Sequence, residues 1–259
     1  MRPREWAVAL LALAAPHVAA GQVAERVARL DDGTVRFLYD VRDDVEICDQ
    51  GIRIGGRQMM WWSRGWDDEA TNCRFGFAEV ELQIRSGVVR DVEIVRALGD
   101  RTDGADDIGR ISAEEASRYL LTLARGGATD RAAKEAILPA VLADVEEIWR
   151  DLVDLGTDRG LPDTVRKSAL FWLGQEAAEA ATGGLAGVAW DEDEDQEIRN
   201  AAIFALSQRP TDEGLPILME LARTGGEAAT RRTAIFWLAQ SGDERVVPFF
   251  EEILLGPVR

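Results

Sequence analysis

The chain has 259 residues, of which 46% are apolar, and a formal net charge of −17. That length and composition allow one large or two modest globular units with real cores. A surface this acidic repels phosphate backbones, and no basic run offsets it, so nucleic acid is excluded as a partner.

Residues 1–20 carry Arg2 and Arg4, then an apolar run over 6–15, then Val18-Ala19-Ala20 ahead of Gly21. This is the order of a secretory signal peptide, with cleavage expected after Ala20 and export to the periplasm or the cell exterior. The apolar run is well short of the roughly 20 residues of a spanning helix, and no membrane crossing is expected. His17, the sole histidine, lies in that leader. A mature chain without it has no imidazole for a Ser-His-Asp or Cys-His nucleophile or for a histidine metal site. Carboxylate chemistry of the glycosidase kind survives, and it needs two acids about 5 to 10 Å apart in a deep cleft.

In the stretch 21–30, Val23, Val27 and Leu30 fall at helical spacing, and Asp31-Asp32-Gly33 makes a turn. TVRFLYDV at 34–41 alternates as a strand, and 52–54 is a second short one. EVELQIR at 79–85 is the clearest strand, with Val80, Leu82 and Ile84 on one face and charged or polar residues on the other. Ser86-Gly87 turns the chain and 88–95 returns, which predicts a hairpin in a small antiparallel sheet. Cys48 and Cys73 are the only cysteines, and in an exported chain they read as a disulfide. Closing a loop of that length contributes roughly 3 kcal/mol. The pair lacks the Cys-X-X-Cys spacing of redox chemistry. Between the cysteines, Trp61, Trp62 and Trp66 have two readings. One is a stacking platform for a glycan or peptide, with Arg64 and Asp67 as polar partners; the other is a plug for the sheet face or its junction with the helices.

GDRTDGADDIG at 99–109 is a polar turn cluster, which places a linker over 100–111 between a β module at 21–99 and a helical region at 112–259. Asp100, Asp103, Asp106 and Asp107 offer oxygen ligands but depart from calcium-loop spacing. The acidic run at 191–197 precedes a helix, where negative charge suits the positive helix end, and it lacks the glycine of a calcium loop. No metal and no cofactor are expected.

Ser112-Ala113-Glu114-Glu115 is a capping box, followed by the stripe Ala116, Tyr119, Leu120 and Leu123, and Gly126-Gly127 ends that helix. Beyond it the chain repeats itself. VRKSALFWLGQ at 165–175 returns as IRNAAIFALSQ at 198–208 and as TRRTAIFWLAQ at 230–240, with offsets of 33 and 32 between Arg166, Arg199 and Arg231. DRAAKEAILPAVLAD at 130–144 reads as a divergent first copy, with Pro139 in the place of Trp172 and bending its helix, and with a partner helix over 144–155. Second helices start near Asp212 and Asp243, each with an early proline, Pro216 and Pro248. Apolar runs such as 169–173 need cover on more than one side, and stacked neighbours supply it. The architecture expected is therefore an α-solenoid of about four helical hairpins.

Equivalent positions form columns in such a stack. Arg166, Arg199 and Arg231 are expected to pair with neighbouring acids, Gln175, Gln208 and Gln240 to satisfy turn backbone, and Phe171, Phe204 and Phe236 to fill the space between repeats. The competing reading is a ladder of polar side chains gripping an extended partner; repetition in every unit favours the packing role. Phe249, Phe250, Ile253 and Leu254 leave apolar surface near the last helix, and docking there against a partner or a second copy is a further hypothesis.

Val165, Arg166, Ala169, Leu173 and Gly174, with Arg231, Ala234, Leu238, Gly242, Asp243, Val247 and Pro248, follow a V-R-x-x-A-x-x-x-L-G helix, a Gly-Asp turn and a second helix with an early proline. In these residues the stretch from about 130 to 256 resembles the HEAT-repeat family, in particular its short phycobilin-lyase-like repeats. The resemblance implies a binding scaffold with no shared catalytic residues. The expectation is an α+β fold, mainly α, in which a small antiparallel β module precedes a solenoid of about four HEAT-like hairpins. It describes a non-catalytic exported scaffold for a protein partner, whose interaction surface draws on Trp61, Trp62, Arg64, Trp66, Phe249, Phe250 and Ile253. Ligand binding by the Trp-rich β module and carboxylate-based hydrolysis are the alternatives.

Overall fold

The computed structural model describes residues 21–49, 51–61, 72–96 and 101–255. The expected leader lies outside the described residues, as do Trp62, Arg64, Trp66, Asp67 and Asp100, and Trp61 is described by its backbone alone. Among the described residues no helix is long and apolar enough to cross a membrane.

The N-terminal helix α1 (Gln22–Val27) buries Val23 and Val27, the spacing that predicted it. Two four-stranded sheets follow. The first is built from β1 (Gly33–Asp40), β6 (Phe77–Arg85), β7 (Val88–Ile94) and β8 (Asp106–Arg110), in the order β7-β6-β1-β8. The second is built from β2 (Val45–Cys48), β3 (Gly51–Ile54), β4 (Arg57–Trp61) and β5 (Cys73–Phe75), in the order β4-β3-β2-β5. Every pairing is antiparallel except β1 with β8. Cys48 stands opposite Cys73 across β2 and β5, and the two form a disulfide.

One expectation for this region needs correction. The stretch read as a linker contains β8, which runs parallel to β1 with Val35 opposite Asp106. Its polar composition hid a strand that is held from outside: Arg26 donates to Asp106 at 2.8 Å, and Ile108 packs on the core. The polar face of β6 is itself buried at Glu79 and Glu81. Arg36 pairs with Glu81 at 2.7 Å, Arg101 pairs with Glu79 at 2.7 Å, and the Thr102 amide donates to Glu81 at 3.0 Å. Burial raises the Glu81 carboxyl, but the Thr102 and Arg36 bonds outweigh it and hold the group below the usual carboxylate value.

Helix α2 (Ala113–Thr122) starts at the expected cap, where Ser112 Oγ accepts from the Glu115 amide at 3.2 Å. The Glu115 carboxylate does not close the box; it accepts instead from the Val23 amide at 3.2 Å and fastens α1. A single wide turn at Leu123–Gly127 then ends the helix, with Gly126 at a φ of 127°.

The first repeat opens with α3 (Asp130–Glu135) and α4 (Ile137–Leu142). The break falls one turn ahead of Pro139, because a proline has no N–H to offer the carbonyl four residues back. Its partner α5 (Ile148–Thr157) starts four residues later than expected. Residues 142–144 are engaged elsewhere: Arg42 N–H donates to the Leu142 carbonyl and Asp144 N–H to that of Asp40, so the chain adds itself to the end of β1 before it can turn helical.

The remaining helices are α6 (Asp163–Gln175), α7 (Glu179–Trp190), α8 (Gln196–Ser207), α9 (Thr211–Thr224), α10 (Ala228–Gln240) and α11 (Val246–Leu255). They form two layers. The motif-bearing helices α3–α4, α6, α8 and α10 stack side by side, and α5, α7 and α9 stack behind them. Arg223 on α9 fastens α11 to the second layer, pairing with Glu252 at 2.7 Å and lying over the Phe249 ring. Close stacking explains Gly174, where a Cβ would sit 3.0 Å from the Ala205 carbonyl oxygen of α8. One apolar core runs from Val23 to Phe249 through sheet and helices alike. The join between them is polar as well as apolar: the buried Tyr39 hydroxyl donates to the Pro139 carbonyl at 2.7 Å, and Arg42 pairs with Glu176 at 2.9 Å.

Candidate interaction surface

The three arginines of the repeat motif hold loops. Arg166 is buried; it donates to Glu194 at 3.1 Å through one nitrogen and to the same carboxylate through another, and its Nε reaches the Gly156 carbonyl at 3.1 Å. Arg199 reaches the Asp191 and Glu192 carbonyls and pairs with Glu227 at 2.9 Å. Arg231 donates to the Gly225 and Gly226 carbonyls. Burial raises the Glu194 carboxyl, yet the Arg166 bonds and the Asp195 amide hold it below its ordinary value. The acids of 191–197 are thereby drawn apart, Asp191 to Arg159, Glu194 to Arg166 and Glu197 to Lys167. The one group of metal-type ligands among the described residues is Glu46 with Cys48 and Cys73, and the disulfide already occupies both sulfurs.

The phenylalanine column bridges neighbouring repeats as expected at Phe171 and Phe204, but it does so at the surface and not in the core. Phe171 and Phe204 are half-buried on the outer face of the first layer, and Phe236 is 53% exposed. The runs around them are apolar all round, so sequence alone does not say which side meets solvent. On the outer face the rings form a ladder. Phe171 stacks on Phe204 with centroids 6.3 Å apart, Phe204 meets Trp237 at 4.8 Å, and Phe236 sets its edge against Trp237 at 5.0 Å. Each phenylalanine is followed four residues later by a glutamine, hence on the same helix face. The Gln208 side chain donates to Ser207 Oγ at 3.1 Å, while the side chains of Gln175 and Gln240 make no hydrogen bond within the described residues.

At its N-terminal end the ladder opens into a groove of about 600 Å³ between β7 and the helices α3, α4 and α6, with Trp172 and Ser168 in its wall. The edge of β7 forms the opposite wall. Val95 N–H donates inward to the Glu79 carbonyl, so by strand alternation the N–H groups of Val92 and Ile94 point outward. Val92 N–H is capped by the Glu135 carboxylate at 3.4 Å. Glu135 also takes Arg131 Nε at 2.8 Å, and Arg131 reaches Asp91 at 3.3 Å. Burial, with Asp91 beside it, raises the Glu135 carboxyl above its ordinary value.

Of the residues singled out from sequence, Phe249 is buried, Phe250 is half-buried and Ile253 is partly exposed, with Val247, Leu254 and Leu255 the more open side chains of α11. The groove is not among those residues; the phenylalanine and glutamine columns are, read there chiefly as packing residues, and their spacing is legible in all three repeats. None of the curated proteins matches the chain. Residues 187–258, the segment from the end of α7 through α11, match the family model of the HEAT repeats.

Proposed function

We propose that the protein is an exported, non-catalytic scaffold that holds a protein partner on the outer face of its first helical layer. HEAT repeats generally serve as protein-interaction scaffolds. The observation that carries the reading is the half-exposed aromatic ladder of Phe171, Phe204, Trp237 and Phe236, which runs across three successive repeats. Stacking alone would be served as well by side chains turned inward, and aromatic anchors are the residues that dominate interface energetics. The carboxylates of the groove support a non-catalytic reading, because Arg131 ties Glu135 to Asp91 and leaves no gap between them for a sugar and a water. Export is supported by the leader-like residues 1–20 and by the Cys48–Cys73 disulfide.

The test is site-specific photo-crosslinking in cells that produce the full chain. A crosslinker in place of Phe204 or Phe236 is expected to give the same discrete protein adduct, while one at Glu220 on α9 gives none. The adduct should carry a chain that begins at Gly21. Absence of adducts from the first layer, or equal labelling from both layers, would refute the assignment.

A further inference from the structure

We infer that the end face formed by α10 and α11 joins two copies of the chain; this does not depend on the outer-face reading. The repeats themselves show what such a face takes. Each second-layer helix packs most closely on the first-layer helix that follows it, α5 on α6, α7 on α8 and α9 on α10. The fit is tight, since a Cβ at Gly156 of α5 would come within 2.8 Å of Leu170 on α6. At an offset of 33 residues Gly156 becomes Ala189 in α7 and then Ala222 in α9, both buried. At a further 32 it becomes Leu254 in α11, which is 78% exposed. Leu215 and Leu221, buried in α9, become Val247 and Ile253, 62% and 38% exposed. Helix α11 thus keeps the apolar stripe of its predecessors, while among the described residues no helix does for it what α10 does for α9.

The first layer agrees. Leu170 and Ile203 are fully buried, whereas Ile235, their equivalent in α10, is half-buried. Lys167 reaches forward to Glu197 on α8, and Asn200 accepts from Thr233 Oγ1 on α10 at 2.9 Å. Their equivalent Arg232 is exposed and has no partner among the described residues. Nor has Glu251, which is exposed one turn from both Val247 and Leu254 on one helix face. The neighbour this face lacks must therefore offer an apolar first-layer helix to α11 and an acid to Arg232. A second copy meets both demands. A two-fold axis along the helices, between α10 and α11, sets each α11 on the α10 of the other copy. Arg232 is four residues from the start of α10 and Glu251 four from the end of α11, so antiparallel packing sets the two opposite charges level. A head-to-tail array is closed off, because the first repeat turns its other face to β7 and α2; a pairing that stops at two copies remains.

The experiment is sedimentation velocity on the disulfide-bonded chain, purified from cells that produce it in full length, over a hundredfold range of concentration. The expected result is a dimer that dissociates to monomer on dilution. Leu254→Asp, at an exposed position, should weaken the dimer at least tenfold. Its melting temperature should lie within a few degrees of the wild type when both are measured at a dilution where the wild type is monomeric. Arg232→Glu and Glu251→Arg should each weaken association severalfold, and the two together should restore it. A monomer at every concentration, a dimer indifferent to Leu254→Asp, or a mass that climbs past two copies would overturn the inference. Failure of the paired charge exchange to restore association would overturn the packing of α11 on α10.

Discussion

Removing the Arg166 side chain should expose how much of the stack depends on one buried ion pair. Arg166 and Glu194 are both buried, and the arginine serves Glu194 twice and the Gly156 carbonyl once. In Arg166→Met the stem is kept and the charge is lost, so Glu194 is left buried with only the half-exposed Arg159 at 3.6 Å. Breaking a buried pair from one side costs about 3 to 5 kcal/mol, and an exposed partner restores under about 1 kcal/mol of it. A loss of about 3 to 4 kcal/mol is therefore expected, read by urea unfolding at pH 7 with far-UV circular dichroism. Adding Glu194→Leu removes the stranded charge and should recover at least half of that loss, less about 1 kcal/mol for the Asp195 amide that Glu194 now satisfies. A single variant within 1 kcal/mol of wild type, or a double variant that loses the sum of the two singles, would refute the account. The pH dependence must agree in sign. Because Glu194 is held below its ordinary carboxylate value, its contribution is present at neutral pH and is lost as pH falls through that depressed value.

Glu176 should behave in the opposite sense, since burial raises its carboxyl despite the Arg42 partner. The folded chain then holds its proton to higher pH than the unfolded chain, and stability falls as pH rises from about the ordinary carboxylate value upward. Glu176→Gln should flatten that slope in unfolding measured from pH 4 to 8. Two glycine substitutions should differ in sign when melting temperatures are compared. Gly214→Ala pushes a Cβ into the Leu206 carbonyl oxygen and should cost about 1 to 3 kcal/mol, while Gly183→Ala meets open space within α7 and should gain about 0.5 to 1 kcal/mol. Reduction of Cys48–Cys73 should lower stability by roughly 3 kcal/mol, and a melting curve unmoved by reductant would contradict the role given to that link.

What the sequence discloses of this fold follows from what each part must repeat. A stack demands the same residues at equivalent turns, the loop-holding arginines included, so Arg166, Arg199 and Arg231 announce it at near-equal intervals. The strands β6 and β7 are legible because they alternate. The short strands β2, β4 and β5 are not, because their residues are placed by pairing across a disulfide-closed loop more than by local pattern. The strand β8 has a single apolar residue in its centre, and its partner β1 lies some seventy residues earlier. The groove is made where a sheet edge meets three helices, a meeting with no local signature in any of them. The outward face of the phenylalanines escapes for the opposite reason, since residues 169–173 would be apolar on whichever side faced water.

The junction at Tyr39, Arg42 and Pro139 gives the repeat array an unusual boundary condition. A free stack of like units can open at either end. Here the sheet clamps one end, while α11 leaves Leu254 78% exposed with no further helix over it among the described residues. The clamped first hairpin is therefore expected to be the last part of the array to open, which amide hydrogen exchange would show.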